Sequence, residues 1–284
     1  MLPVKKIYID SRHRTPDSVD ASNFKYELPY SLQLPDNTVF FVTDICIPHV
    51  FRLIEQDVND RLYYNYYCNM TGQGSNIFAF YNFVTLPSGG YTGTNLATTI
   101  QSLMNGAVEP GANITFTVTW DPTAYSINVV SAGTNAGFKF LTDAEVVRYK
   151  NQFASSLDPS NTKSANDILK ISTPTMYYDS GITFVSDFIS LQPIHNVYIT
   201  SPNLGSFDTI APFSNNVIKK VPVTVPYGYM IIDQNSTTND FLNCSNQTIR
   251  TLEFHLKDSR GRYINLHGMN VSFSIVFNRY NSSL

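Results

Sequence analysis

Charged side chains are scarce in this sequence. Asp, Glu, Lys and Arg make up 14% of its 284 residues, whereas about a quarter is usual in soluble proteins. The net charge is only −3, so no strong overall field attracts nucleic acid or an anionic membrane. Asn, Ser, Thr, Tyr and Phe take the place of the missing charges. Such a surface favours packing against copies of the same chain, although a gene rich in A and T would produce the same bias.

Cysteine is also rare. Cys46, Cys68 and Cys244 are odd in number and widely spaced, and no hydrophobic signal segment follows Met1. We therefore expect three reduced thiols in a chain that is made and used in the cytosol. The sequence contains no apolar run of membrane-spanning length, so we expect no membrane span.

The usual signatures of catalysis and cofactor binding are missing. The sequence contains no phosphate-binding glycine loop, no H-E-x-x-H, no C-x-x-C and no G-x-S-x-G. A metal site made by His255 and His267 would lack a third ligand. Three carboxylate pairs are more simply explained by polar loops or a helix N-terminus: Asp57 with Asp60, Asp143 with Glu145, and Asp233 with Asp240. We therefore predict no catalytic residue, no cofactor and no metal.

Aromatic residues are the remaining candidates for a binding site. Trp120 and a tyrosine cluster could bind sugar; the cluster contains Tyr63, Tyr64, Tyr66 and Tyr67. Alternation along a strand would place half of the cluster in the core and half on the surface or in an interface. We therefore predict that the cluster is half core and half surface or interface, rather than a sugar-binding site.

The region from Thr248 to Tyr280 has a clear period-two pattern. Leu252, Phe254 and Leu256 alternate with Glu253, His255 and Lys257, which is typical of a strand with one buried face. A turn containing Gly261 follows, and the apolar segment 271–277 comes next. We predict that the chain ends in two long paired strands.

Similar strand patterns occur on both sides of a central region of different character. We predict strands at 6–10, 24–28, 38–47, 182–191, 195–201, 217–225 and 229–232 in addition to the two terminal ones. Pro222 indicates a sheet edge, because proline cannot donate to a ladder. Eight or nine strands are enough for two four-stranded antiparallel sheets. The fold class is therefore mainly β, a single jelly-roll sandwich.

The central region predicts an α+β insert. Strands are expected at 62–68 and 76–86, a helix at 95–104 capped by Thr94, and a hairpin around Asp121. Thr142 and Glu145 form a capping box that begins a short helix, and another short helix is expected at 164–169. We place the inserted domain at 59–172 and the discontinuous sandwich at 1–58 plus 173–284.

Positive charge is concentrated near the N-terminus. Lys5, Lys6, Arg12 and Arg14 lie within fourteen residues that contain one acid, Asp10. A short basic arm of this kind can contact nucleic acid, although such a segment is more often a solvated tail.

Several segments, in their order and spacing, resemble a known family. They are Ile9-Asp10-Ser11-Arg12, Phe24-x-Tyr26-x-Leu28, the helix from Gly90 to Ile100 with Phe116 to Ile127 after it, Ser201-x-Asn203-Leu204, Val221-Pro222-Val223 with Tyr227-Gly228, and Leu256-x-Asp258 with Gly261, Leu266-x-Gly268 and Ser272-Phe273-Ser274. Together they resemble the penton proteins of virophages and polinton-like viruses, over nearly the whole chain.

The resemblance implies a structural role without catalytic residues. It implies a single jelly roll with an inserted outer domain, assembled as a homopentamer at the vertices of an icosahedral capsid. The implied partners are other copies of the chain and a double jelly-roll major capsid protein. The basic arm would then be a candidate for reaching inward, with weak contact to packaged DNA, or onto a neighbouring capsomer. The insert would face outward and be a candidate contact surface for a host or carrier virus. The implied location is the virion, after synthesis and assembly in the host cytoplasm.

Two other functions remain open at this point. A trimeric receptor- or glycan-binding β module would have the same architecture. A carbohydrate-active enzyme on a β scaffold would require carboxylates from distant segments to meet in one cleft. Subunit number separates the first from a penton, and the placement of the carboxylates tests the second.

Overall fold

The structure is a computed structural model that describes residues 5–154, 158, 161–204, 216–235, 237 and 240–279. The chain divides into two compact units. The first, which we call the sandwich unit, consists of Met1–Phe51 and Ile194–Leu284. The second, the insert unit, consists of Arg52–Pro193.

Strands dominate both units. In chain order they are β1 Lys5–Asp10, β2 Asn23–Leu34, β3 Thr38–Pro48, β4 Arg61–Asn69, β5 Ile77–Thr85, β6 Thr115–Asp121, β7 Ser126–Ala132, β8 Gly137–Phe140, β9 Tyr178–Asp179, β10 Thr183–Val185, β11 Asn196–Thr200, β12 Val217–Pro222, β13 Met230–Asp233, β14 Leu242–Asn243, β15 Gln247–Lys257 and β16 Ser272–Arg279. The helices are α1 Gly93–Gly106, α2 Asp143–Arg148 and α3 Asn166–Leu169, with short 3-10 turns at Ser11–His13 and Lys150–Gln152. None of these helices is long and apolar enough to cross a membrane.

Strand pairing in the sandwich unit is nested. The first strand pairs with the last (β1 with β16), the second with the next to last (β2 with β15), then β3 with β13 and β11 with β12, all antiparallel. In addition, β16 pairs with β3, and β15 pairs with β11. The strands therefore form two sheets, with the orders β1-β16-β3-β13 and β12-β11-β15-β2. The short strand β14 pairs with β3 in the first of these sheets. Nested pairing in two sheets defines a jelly roll. The predicted fold class is confirmed.

Alternation along the strands builds the core between these two sheets. Phe254 of β15 is fully buried, as are Leu252 and Leu256 on the same face. Its ring lies 5.5 Å from the ring of Phe24 on the neighbouring strand β2 and 5.0 Å from that of Phe273 in the other sheet. Rings at these separations attract each other in addition to excluding water. The aromatic contact between the sheets therefore helps to hold them together.

The prediction that the two terminal strands pair with each other is wrong. β15 lies in one sheet and β16 in the other. Gly261 does adopt the expected positive φ, +80°, but the returning segment only makes a short bridge, in which Ile264 N donates to Leu256 O at 3.1 Å. The chain then crosses to the opposite sheet. Period-two alternation identifies a strand and its buried face, whereas it does not specify the partner strand.

The insert unit has the mixed α+β character that the sequence predicts. Its sheets have the orders β5-β4-β8-β9 and β10-β7-β6. The capping box of α2 is present, with Glu145 N donating to Thr142 Oγ1 and Thr142 N donating to Glu145 Oε2. The N-cap of α1 is Thr92 rather than Thr94, since Asn95 N donates to Thr92 Oγ1. Of the strand predicted at 182–191, only Thr183–Val185 is extended and paired.

The boundaries between the units differ from those predicted. The insert unit begins at Arg52 rather than Asn59, and it ends at Pro193 rather than Ser172. Leu53 and Ile54 are buried in the insert core, as is Ile189 near the other end. Because these side chains belong to the insert core, the insert unit is longer at both ends than the range 59–172 that we predicted from its strands and helices.

We predict that the sandwich unit folds without the insert. Replacing Arg52–Pro193 with a short Gly/Ser linker should leave a cooperatively unfolding protein, because the nested strand pairing and its core involve only the flanking segments. The measurement is a denaturant titration followed by circular dichroism. Removing only 59–172 is the matched control. It should give a less soluble protein, because the apolar side chains of Leu53, Ile54 and Ile189 would remain in the chain and lose the core that buries them. Loss of cooperative unfolding in the first variant would contradict the prediction.

The cysteines are free thiols, as expected. Burial raises the pKa of the Cys244 thiol to about 12 and raises that of Cys68, whereas Cys46 is partly exposed. The thiolate is the reactive form. We predict that a thiol reagent at mildly alkaline pH modifies Cys46 alone in the folded protein and all three cysteines after unfolding. Peptide mapping by mass spectrometry measures this, and modification of Cys244 in the folded protein would contradict it.

Candidate assembly surface

Among the described strands of the jelly roll, β1, β2, β12 and β13 lie at sheet edges, as does the short β14, which pairs only with β3. β1 and β2 are the edges at one side of the sandwich unit, and β12 and β13 are the edges at the other side. Edge strands carry backbone N–H and C=O groups that the sheet does not pair, and proteins protect or use them. We call the β1/β2 side the first flank and the β12/β13 side the second flank.

The first flank contains a groove lined by aromatic and basic side chains. The groove has a volume of about 340 Å³ and lies between residues 5–8 of β1 and residues 26–32 of β2. Tyr8 is 71% exposed, and Tyr30 is also largely exposed. Tyr30 lies where the β2–β15 ladder is interrupted between Glu27 and Leu32, an irregularity of the kind that a β-bulge produces. Two large aromatic side chains thus stand on an unpaired edge.

The second flank carries a run of exposed apolar side chains along and just before β13. These are Tyr227, Tyr229, Met230 and Ile232. Ile231 points into the core and is 1% exposed, whereas its neighbour Ile232 is 61% exposed. His49 anchors the segment, because its backbone N donates to Tyr229 O at 2.8 Å and its Nδ1 lies 2.8 Å from Val225 O. Exposed apolar groups on an ordered edge are typical of an interaction surface.

Both flanks also carry residues that oppose strand addition. Pro29 lies in β2 and Pro222 in β12, and neither can donate a ladder hydrogen bond. The prediction that Pro222 marks an edge is confirmed, since β12 pairs only with β11 among the described strands. Lys5 and Lys6 lie on β1. A partner is therefore expected to contact these flanks through side chains rather than by extending a sheet.

The predicted basic arm is folded onto the first flank in the described residues. Lys5 and Lys6 belong to β1, where Lys6 forms an ion pair with Asp44. Arg12 forms a bidentate pair with Asp10, and Arg14 Nη1 donates to Ser11 O at 3.0 Å. The hydrogen bond from Arg12 lowers the pKa of Asp10, and the hydrogen bond to Asp44 raises the pKa of Lys6. Internal partners thus offset much of this positive charge. Contact of these residues with packaged DNA stays a prediction.

The three carboxylate pairs have structural partners. Asp57 pairs with Lys163 at 2.6 Å, Glu145 with Lys139 at 2.9 Å, and Asp240 with Lys219 at 3.2 Å. The hydrogen bond from Lys163 lowers the pKa of Asp57. Asp60 is buried and its Oδ2 accepts from Asp57 N. Each pair thus consists of neighbours on one local segment, which gives no reason to assign an acid and a base to it.

The histidines do not form a metal site in the described part of the chain, which contains no cluster of three ligand side chains. His255 Nε2 lies 2.9 Å from Glu253 Oε1, and its ring packs against the ring of Tyr263 with 5.5 Å between centroids. His255 thus connects β15, through Glu253, with the segment after the following turn, through Tyr263.

The interpretation of the tyrosine cluster is wrong in part. Tyr63, Tyr64 and Tyr66 are all fully buried, and only Tyr67 is partly exposed. β4 lies between β5 and β8, and hydrophobic clusters cover both of its faces. A strand buried on both faces does not alternate in exposure, so the cluster belongs to the core. The exposed aromatic groups lie elsewhere, on the flanks and around Trp120.

Comparison with known proteins gives structural similarities only. No protein-family model and no curated protein matches the chain. The mavirus penton protein is similar, with 11% identity and a TM-score of 0.49 over 97% of this chain and 100% of the other. A chain of the Sputnik virophage structure has 12% identity and a TM-score of 0.43 over 96% and 98% of the two chains.

Variants of Ile231 and Ile232 test whether the exposed side chains of the second flank contribute to the stability of the fold. We predict that Ile231→Ser lowers the free energy of unfolding by about 2–5 kcal/mol, because it removes a buried side chain. Ile232→Ser should change it by no more than about 0.5 kcal/mol. Urea titrations at concentrations where the chain is monomeric measure both values. Equal losses in the two variants would show that Ile232 supports the fold rather than an interface.

Proposed function

We propose that this chain is a structural capsid protein that forms a ring of five copies at the vertices of an icosahedral particle. The observation that carries the proposal is the pair of flanks. Each has exposed large apolar side chains on an ordered edge, and they lie at opposite sides of one sandwich.

Opposite flanks support a ring rather than a two-fold dimer. In a heterologous interface the first flank of one copy contacts the second flank of the next, and every copy uses both surfaces once. Such an arrangement closes when the angle between the two flanks divides a full turn. A sandwich with a continuous hydrophobic core keeps that angle constant, because packed interiors deform little. Closure at five copies is our proposal for this chain.

The side chains on the flanks suit an interface of this kind. A stable interface buries about 800 Å² on each partner, with aromatic residues and methionine enriched at its centre. Tyr8 and Tyr30 supply large groups on one side, and Tyr229, Met230 and Ile232 supply them on the other. Several charges near the flanks already have partners within the chain, as Lys6 with Asp44 and Lys219 with Asp240. Fewer unpaired charges then need to lose water when copies meet.

The remaining partners follow from this role. We propose that the ring contacts a double jelly-roll major capsid protein in the particle, and that the basic residues Lys5, Lys6, Arg12 and Arg14 face packaged DNA. The insert unit is proposed as the part that contacts a host or carrier virus. The proposed location is the virion, after synthesis in the host cytoplasm.

Native mass spectrometry of flank variants tests the ring. The unmodified protein should form pentamers, whereas Tyr8→Asp and Ile232→Asp should each prevent closure, because either change buries an unpaired carboxylate. Mixing these two variants should give a one-to-one dimer, since each retains the flank that the other has lost. Val58→Asp, at an exposed apolar residue of the insert unit, is the control and should still form pentamers.

The outcomes separate the alternatives. A trimer of the unmodified protein would support the receptor-binding module instead. Pentamers that persist in both flank variants would show that the ring uses other surfaces. Homodimers formed by either variant alone would indicate a two-fold contact and contradict the heterologous arrangement.

A further inference from the structure

Three aromatic side chains meet at the surface of the insert unit. Trp120 lies in β6, Tyr125 follows in the turn before β7, and Phe188 lies beyond β10. The rings of Tyr125 and Phe188 are stacked, with 5.5 Å between centroids and 28° between planes. Trp120 meets Tyr125 edge-on at 5.7 Å. We call these three residues the aromatic platform. Tyr125 is 48% exposed and Phe188 61% exposed, so a ligand can reach both rings.

The backbone holds Tyr125 in an unfavourable conformation. Its φ is +51°, in the left-handed region that glycine and asparagine adopt readily and bulky residues avoid. The turn before it is held by Asp121 Oδ1, which accepts from Thr123 N at 2.8 Å and from Ala124 N at 3.1 Å. Glycine would fit the position better. A strained residue whose side chain is half exposed indicates that the ring itself is used.

Trp120 is fixed by a close approach to helix α1. A Cβ atom added at Gly93 would lie 2.1 Å from two ring atoms of Trp120, so the indole is seated directly on the first residue of the helix. Any larger side chain at Gly93 would displace the indole. The platform is therefore rigid at one end, which reduces the entropy that a bound ligand must overcome.

The polar groups beside the platform define the ligand. The segments 120–125 and 186–188 contain two accessible carboxylates, Asp121 and Asp187, and the exposed hydroxyl group of Thr123, but no Lys, Arg or His. The hydroxyl group of Ser186 is buried and already donates to Asp187 O. Carboxylates accept hydrogen bonds from hydroxyl groups and repel anions. The negative faces of aromatic rings attract C–H groups that carry slight positive charge. A sugar ring presents an apolar C–H face surrounded by hydroxyl groups.

We propose that the aromatic platform binds a neutral hexose unit of a glycan. One face of the sugar packs on the free face of Phe188, whose other face stacks on Tyr125, and the hydroxyl groups of the sugar donate to the neighbouring carboxylates. Sialylated or sulfated sugars are disfavoured by the same carboxylates. The site is distinct from the two flanks, which belong to the sandwich unit, so it adds a recognition role to the proposed structural one.

The size of the platform favours a sugar over a protein partner. A fully buried aromatic side chain removes about 150–250 Å² from water. Tyr125 and Phe188, each about half exposed, and the partly buried Trp120 therefore offer roughly 250 Å², well below the 800 Å² or so per partner of a stable protein interface. A single sugar ring covers an area of this smaller size.

The fluorescence of Trp120 reports on the platform directly, because it is the only tryptophan in the chain. Titrating the full chain with methyl glycosides of glucose, galactose and N-acetylglucosamine should change its emission saturably for at least one of them. Saturation-transfer NMR should show the strongest transfer to the C–H protons of one sugar face. Phe188→Ala should weaken binding at least ten-fold without changing the thermal transition.

Two further variants separate loss of binding from loss of folding. Tyr125→Gly should also abolish binding, while its thermal transition does not fall, since glycine relieves the positive φ. Phe78→Ala removes another exposed phenylalanine of the insert unit, outside the platform, and should bind as the unmodified protein does.

The proposal is overturned if none of the three glycosides binds, or if binding persists in Phe188→Ala and Tyr125→Gly. Preference for a sialylated glycoside or for a proline-rich peptide over the neutral sugars would overturn it as well. These measurements do not depend on subunit number. Failure of the pentamer and failure of glycan binding are therefore distinguishable.

Discussion

Backbone pairing is the constraint on which the rest of this structure depends. A two-layered sandwich buries its apolar faces between the sheets, but each open sheet has two edges whose N–H and C=O groups find no partner within it. The nested pairing from β1 with β16 to β11 with β12 decides which strands take those positions. The edges bear Pro29, Pro222, Lys5 and Lys6, which discourage strand addition, and large apolar side chains that favour packing. The same arrangement thus limits uncontrolled aggregation and provides two surfaces for a defined neighbour.

The sequence predicted the fold class well because local patterns carry it. Alternation identified almost every strand of the sandwich unit, the capping box at Thr142 identified α2, and Pro222 identified an edge. Counting strands then led to the jelly roll. The partner of each strand was harder to predict, as β15 and β16 show. Pairing is set by contacts between residues far apart in the chain, and the alternating pattern of one strand is compatible with several neighbours.

The surfaces were less predictable than the core. Tyr63, Tyr64 and Tyr66 looked half exposed, whereas both faces of their strand are covered. Ile231 is buried and its neighbour Ile232 is exposed, although both are isoleucines. Which of the two faces the core depends on how β13 is placed in the sheet. The platform of Trp120, Tyr125 and Phe188 joins residues separated by more than sixty positions. Its one local signal is a tyrosine immediately after the turn at Asp121, where glycine or asparagine is usual.

The pairing of β1 with β16 also determines when the first flank can form. The groove beside Tyr8 exists only after β1 has added to β16, and these two strands lie at opposite ends of the described part of the chain. Contacts of such long sequence separation form slowly, because loop closure precedes any gain in stability. The first flank is consequently absent until β16 has been synthesised and has paired. A chain that still lacks β16 therefore also lacks one of the two surfaces that the proposed ring requires.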